Sequence, residues 1–121
     1  MDKHQQARIL IVEDEPMIAF TLQDLLVEAG FKVTCVAAKL EKALALIESA
    51  GCDAAIVDAN LAGVSASPAA AALAARGLPF IVLSGYSPEQ LQGAFPAAVF
   101  MKKPSRPAKI IQALKSIVYK Q

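Results

Sequence analysis

The side chains able to do chemistry fall in four places, each directly after a short apolar run. Glu13, Asp14 and Glu15 follow the run 9–12; Asp58 and Asn60 follow 54–57. Ser84 and Gly85 follow 80–83, and Lys102, Lys103 and Pro104 follow 97–101. Carboxylates brought together repel unless positive charge sits among them. Oxygen ligands without His or Cys select a hard cation, and Mg²⁺ accepts a few carboxylates plus water and a phosphate oxygen. A lysine beside such a site neutralises an incoming phosphoryl group as a point charge. A carboxylate held there can itself attack phosphorus and become an acyl phosphate. The cation and the lysine then stabilise charge on the transferring group.

Each feature alone has a plainer explanation. The acidic triplet suits the first turn of a helix. Asp58 could cap a turn, Lys102 and Lys103 could be solvated, and Tyr86 could be a packed surface aromatic. His4 lies in a polar tail. A second, separate acid at a strand end is what makes the helix-turn explanation of the first group insufficient.

The elements that must position these groups are legible from periodicity. Five short apolar runs, at 9–12, 31–36, 54–57, 80–83 and 97–101, are mostly continuous rather than alternating, as strands covered on both faces are. Helical spacing lies between them. The first helix carries Ile18, Leu22, Leu25, Leu26 and Ala29 on one face, with Pro16 in its first turn and Gly30 as its stop. The second carries Leu40, Ala43, Leu44 and Ile47. The third is Ala-rich, with Ser67 as N-cap and Pro68 after it. The last shows Ile110, Leu114, Ile117 and Val118, with Lys109, Lys115 and Lys120 on its wet side. The fourth segment, 88–96, is short and contains Gly93, so a helix there has about two turns. Strand–helix alternation of this kind implies an α/β fold with a doubly wound, five-stranded parallel sheet. In such a sheet ligands bind beyond the carboxyl ends of the strands, where the four chemical groups lie.

Composition removes several function classes. The 121 residues suffice for one domain with its own core, expected over the whole of 1–121 with an ordered part of about 8–119. A formal charge of +1 gives no footprint for nucleic acid. No apolar run approaches a membrane span, and the polar start is no signal peptide, so the chain is expected in the cytoplasm. Cys35 and Cys52 lack metal-ligand spacing and are read as reduced, buried thiols.

Taken together, Ile9-Leu10-Ile11-Val12-Glu13-Asp14-Glu15-Pro16, Asp58-Ala59-Asn60-Leu61-Ala62-Gly63, Ser84-Gly85-Tyr86 and Lys103-Pro104 resemble the receiver domain of two-component response regulators. The resemblance runs from about Arg8 to Tyr119. It implies a flavodoxin-like, CheY-like (βα)5 sheet with strand order 2-1-3-4-5. It also implies that Asp58 accepts a phosphoryl group from a histidine on a partner kinase. Glu13, Asp14, Asp58 and the backbone carbonyl of Asn60 would hold Mg²⁺. Ser84 matches the switch hydroxyl, Lys103 the lysine that contacts the phosphoryl group, and Phe100 the aromatic switch position. The bond to Pro104 is typically cis in this family. Residues 78–86 resemble a branch common in alphaproteobacteria, marked by a Thr/Ser-Gly-Tyr motif that includes Tyr86 and by a reduced fourth helix. Its members are often single-domain regulators served by kinases of the HWE or HisKA2 type.

Three positions depart from the commoner pattern: Glu13 replaces Asp, Ser84 replaces Thr, and Phe100 lacks the hydroxyl of Tyr. The resemblance implies a signalling domain, monomeric or dimerising on phosphorylation, that contacts a downstream regulatory protein or serves as a phosphorelay shuttle or sink. It is then no turnover enzyme. The alternative within the family is a degenerate receiver that binds a protein without being phosphorylated. A hydrolase of haloacid dehalogenase type is disfavoured because Asp58 is followed two residues on by Asn60, not Asp. Nucleotide binding is disfavoured because no Gly-rich loop follows the first strand.

Overall fold

The computed structural model describes residues 6–49, 51–85, 95, 99–103 and 105–119. His4, Tyr86, Pro104 and, apart from Phe95, the expected helix over 88–96 lie outside the described residues. The elements run β1 (Arg8–Val12), α1 (Pro16–Glu28), β2 (Lys32–Ala37), α2 (Leu40–Glu48) and β3 (Ala54–Asp58). A hairpin follows, β4 (Asn60–Leu61) with β5 (Val64–Ser65), then α3 (Ser67–Ala75), β6 (Phe80–Ser84), β7 (Val99–Lys102) and α4 (Pro107–Val118).

The five main strands form one parallel sheet in the order β2-β1-β3-β6-β7. With the hairpin set aside this is the 2-1-3-4-5 order expected from the resemblance. All five residues of β3 and all five of β6 are buried, which explains why their sequences read as unbroken apolar runs. β2, at the edge, is half-exposed and alternates accordingly. Alternate residues feed two cores. Ile9, Ile11, Ile56 and Ile81 pack with Leu22 and Leu26 of α1 and with Ile110 and Leu114 of α4. Leu10, Val12, Val57 and Val82 pack on the other face with Ala43 and Ile47 of α2 and Leu73 of α3.

Helix α1 ends as its glycine implies. Gly30 has φ +96°, its N–H donates to the Val27 carbonyl at 3.1 Å, and the Phe31 N–H donates to the Leu26 carbonyl at 2.9 Å. That paired closure requires a left-handed residue, which a Cβ would penalise. α3 closes the same way, through Gly77 to Ala74 and Leu78 to Leu73.

Several sequence expectations need correction. Ser67 is the first residue of α3 rather than its N-cap; Ala66 is the N-cap, because its N–H is drawn to the Ala59 carbonyl at 2.9 Å and starts the helix one residue earlier. The capping hydroxyl comes instead from Ser65, whose Oγ accepts the Ser67 N–H at 3.2 Å. Ile18 is exposed and Ala19 takes its place against the core. Cys52 is buried but Cys35, on the edge strand, is only partly so; both thiols are free. The second strand starts one residue later than its apolar run. Among the described residues no helix is long and apolar enough to cross a membrane.

Candidate functional site

The carboxyl ends of β1, β3, β6 and β7 converge, and the sequence-nominated polar groups come with them. Glu13 leaves β1 with its backbone N–H bonded to the Ala37 carbonyl of β2 at 3.0 Å. Its side chain is only 2% exposed. Oε2 accepts the Glu15 N–H at 3.1 Å, whereas Oε1 is buried with no hydrogen-bond partner among the described residues. Asp58, the last residue of β3, is buried as well. Its Oδ1 accepts the Asn60 N–H at 3.2 Å and its Oδ2 accepts from Lys103 Nζ at 2.9 Å. The same ammonium lies 3.9 Å from Glu13 Oε1. Asp14 completes the group: one carboxylate oxygen from each of Glu13, Asp14 and Asp58 lies within 4.8 Å of the others.

Ser84 ends β6, buried, in register with Lys102 of β7. Its carbonyl accepts the Lys103 N–H at 2.7 Å, so one backbone bond fixes the hydroxyl-bearing residue to the ammonium-bearing one. Asn60 is exposed, and its side-chain Oδ1 accepts the Gly63 N–H at 2.7 Å and braces the hairpin. Phe100 is half-buried on β7, its ring edge-on to Phe95 at 6.2 Å and 87°. Tyr86 and Pro104, nominated with these residues, are not among those described.

The electrostatics are unbalanced. Three carboxylates face one ammonium. Burial, followed by the adjacent Asp58 carboxylate, pushes the Glu13 carboxyl up to about 7, against the opposing pull of the Glu15 N–H and Lys103. An orphaned buried carboxylate oxygen among all-oxygen donors fits a hard divalent cation, which would satisfy Oε1 and offset the repulsion together.

Two features of the site escaped the sequence reading. The N–H of Glu15 orients the Glu13 carboxylate, a backbone role that no residue type signals. Phe95, fully packed against Phe100 and the α2/α3 core, lay within the segment that looked weakest. Beside the acids, a mostly apolar groove of about 330 Å³ runs between α1 and α4, walled by Met17, Ile18, Leu25, Ile110 and, at the site, Lys103.

The response regulator receiver domain family matches this chain over residues 9–115. No curated protein matches it. Among solved structures, the receiver domain of the PhyR response regulator from Erythrobacter litoralis superposes with a TM-score of 0.85. It is 24% identical, over 99% of this chain and 95% of that one, a likeness that speaks to the fold alone. A CheY-like response regulator receiver domain protein from Methanospirillum hungatei JF-1 gives 0.83 with 27% identity over 96% of each chain. The response regulator PhyR from Brucella abortus gives 0.80 with 26% identity, over 95% of this chain and 49% of that one. The present chain therefore spans about half of the Brucella protein.

Proposed function

The chain belongs to the response regulator receiver domain family, and we propose that its residues 8–119 act as one phospho-acceptor domain, with Asp58 taking a phosphoryl group from a histidine of a partner kinase. The observation that carries this reading is the placement of Asp58. Its carboxylate is buried, oriented by the Asn60 N–H, and met by Lys103 at 2.9 Å, with two further acids beside it.

Transfer forms a bond from a carboxylate oxygen of Asp58 to phosphorus as the phosphorus–nitrogen bond to the kinase imidazole breaks. The imidazole keeps the electron pair and takes a proton. Glu13, Asp14, Asp58 and the Asn60 carbonyl are the residues that would hold Mg²⁺, which when bound neutralises charge on the transferring group. Lys103, already poised over Asp58, exchanges its contact with the carboxylate for one with a phosphoryl oxygen. Ser84 offers a hydroxyl to another. Because the carboxylate that reacts is consumed until the acyl phosphate hydrolyses, the chain is an acceptor rather than a turnover enzyme.

Receiver domains work with histidine kinases and downstream effectors. The apolar α1/α4 groove, with Met17 73% exposed at its wall and Lys103 at its inner end, suits a kinase helix docking within reach of Asp58. The Ser84-Gly85-Tyr86 stretch supports a kinase of the HWE or HisKA2 type. Phosphorylation then biases the Ser84–Lys103 region toward a second conformation read by a partner protein, with or without dimerisation.

Intact mass after incubation with Mg²⁺ and acetyl phosphate tests the chemistry. One added phosphoryl group in the wild type, absent from Asp58→Asn, is expected. Stoichiometric labelling of Asp58→Asn would overturn the assignment.

A further inference from the structure

The excursion between β3 and α3 is clamped at its base and strained at its tip. At the base the Ala66 N–H donates to the Ala59 carbonyl at 2.9 Å, and the Ala59 N–H donates to the Leu83 carbonyl of β6 at 2.9 Å. At the tip β4 and β5 pair Asn60 with Ser65 and Leu61 with Val64 around Ala62 and Gly63. Both turn residues have positive φ, +51° and +89°. The glycine accepts that conformation freely, but the alanine is strained by its Cβ. Burial does little to hold the turn shut, since only Leu61 of residues 60–65 is buried. The side chain that closes it is Asn60, whose Oδ1 accepts the Gly63 N–H at 2.7 Å.

The same residue carries backbone groups of the site. The Asn60 N–H donates to Asp58 Oδ1 at 3.2 Å. In an antiparallel ladder, pairs that exchange hydrogen bonds alternate with pairs whose N–H and C=O both face outward. Ala66 and Ala59 are joined by such a bond, so the neighbouring Asn60–Ser65 pair is of the outward-facing kind. The Asn60 carbonyl therefore faces the same way as its N–H, toward the acids. Brace and carbonyl belong to one residue, and opening the turn releases both.

We propose that the Asn60 carboxamide is a positioning residue: by holding the Gly63 N–H it shuts the strained Ala62–Gly63 turn and keeps its own backbone carbonyl aimed at a divalent cation among Glu13, Asp14 and Asp58. This rests on the phospho-acceptor reading and deepens it, placing part of the cation affinity in a turn contact outside the acids.

The test is calorimetric titration of the whole, unphosphorylated protein with Mg²⁺. Asn60→Ala should weaken binding about tenfold. Adding Ala62→Gly to that variant should recover about threefold of the loss, because the turn then closes without a left-handed alanine. Asn60→Asp keeps the Oδ1 acceptor and should bind Mg²⁺ at least as tightly as the wild type. In metal-free protein the Gly63 amide should exchange with solvent about tenfold faster in Asn60→Ala than in the wild type or Asn60→Asp. Unchanged Mg²⁺ affinity in Asn60→Ala would overturn the proposal and leave the phospho-acceptor reading standing. A loss that Ala62→Gly does not recover would also overturn it, since the carboxamide would then act on the site directly. So would a loss in Asn60→Asp equal to that in Asn60→Ala. A wild type that binds no Mg²⁺ would overturn the phospho-acceptor reading and this proposal together.

Discussion

Lys103 Nζ lies 2.9 Å from Asp58 Oδ2, tying the end of β3 to the residue that follows β7, forty-five positions away. With Glu13 Oε1 also 3.9 Å distant, this ammonium is the cation that offsets the three site carboxylates. It is held from two directions, by its own N–H on the Ser84 carbonyl and by its side chain on Asp58.

Lys103→Met should therefore do two things. Metal-free protein should lose about 1–3 kcal/mol in urea unfolding, less than a fully buried pair because the lysine side chain is 32% exposed. Labelling of Asp58 by acetyl phosphate should slow about a hundredfold, read from mass against time.

Glu13 gives a pH signature to the metal-free protein. Its folded pKa, raised to about 7, exceeds the ordinary 4.5, so the folded state holds the proton more tightly than the unfolded chain. That stabilisation is fully present below about 4.5 and is lost as pH rises through 7, up to about 3 kcal/mol in all. Unfolding free energy measured from pH 4.5 to 8 should fall with pH for the wild type and be flatter for Glu13→Gln. Added Mg²⁺ should restore stability at pH 8, by about 3 kcal/mol at a hundredfold excess over its dissociation constant.

Ala62 sits in the two-residue turn of the hairpin at φ +51°, followed by Gly63 at φ +89°. A non-glycine residue is strained there. Ala62→Gly should stabilise the protein by about 0.5–1 kcal/mol, read as a higher denaturation midpoint with unchanged slope.

Asp53 anchors the other end of β3. Its Oδ2 accepts the Arg8 backbone N–H at 2.7 Å, and its Oδ1 pairs with the guanidinium at 3.1 Å. The Arg8 side-chain hydrogen bonds hold this carboxyl below its ordinary 3.8 despite partial burial. The stabilisation is present above that value and lost as pH falls through and below it. Asp53→Asn should cost about 1 kcal/mol at pH 7, discounted because the guanidinium is 42% exposed, and should weaken acid sensitivity below pH 4.

Much of this arrangement was readable from residue types. Short unbroken apolar runs such as 54–57, alternating with helical segments, read as strands buried on both faces, and the topology of parallel sheets then sends Glu13, Asp58, Ser84 and Lys103 to one edge. Gly30 announced the end of α1. What could not be read was set by backbone geometry. The hairpin over Asn60–Ser65 has no Asn-Gly or Asp-Gly signal, since its left-handed turn begins with an alanine. Ser67 looked like a cap until the Ala59–Ala66 bond moved the helix start. The exposure of Ile18 depends on how far α1 rotates over the sheet, which periodicity fixes only to within a residue. The orientation of Glu13 by Glu15 is a main-chain contact that no side-chain pattern encodes.

The unequal burial of the two thiols makes the native chain its own labelling scaffold. Cys52 is enclosed, and burial followed by the Asp53 charge keeps its thiol protonated to higher pH than usual. Cys35 is partly open on the edge strand, two residues before Ala37, whose carbonyl receives the Glu13 N–H. A maleimide dye offered to the folded protein would attach at one position without mutagenesis. It would sit on the strand end that braces Glu13, where its emission could follow cation entry and phosphoryl turnover in real time.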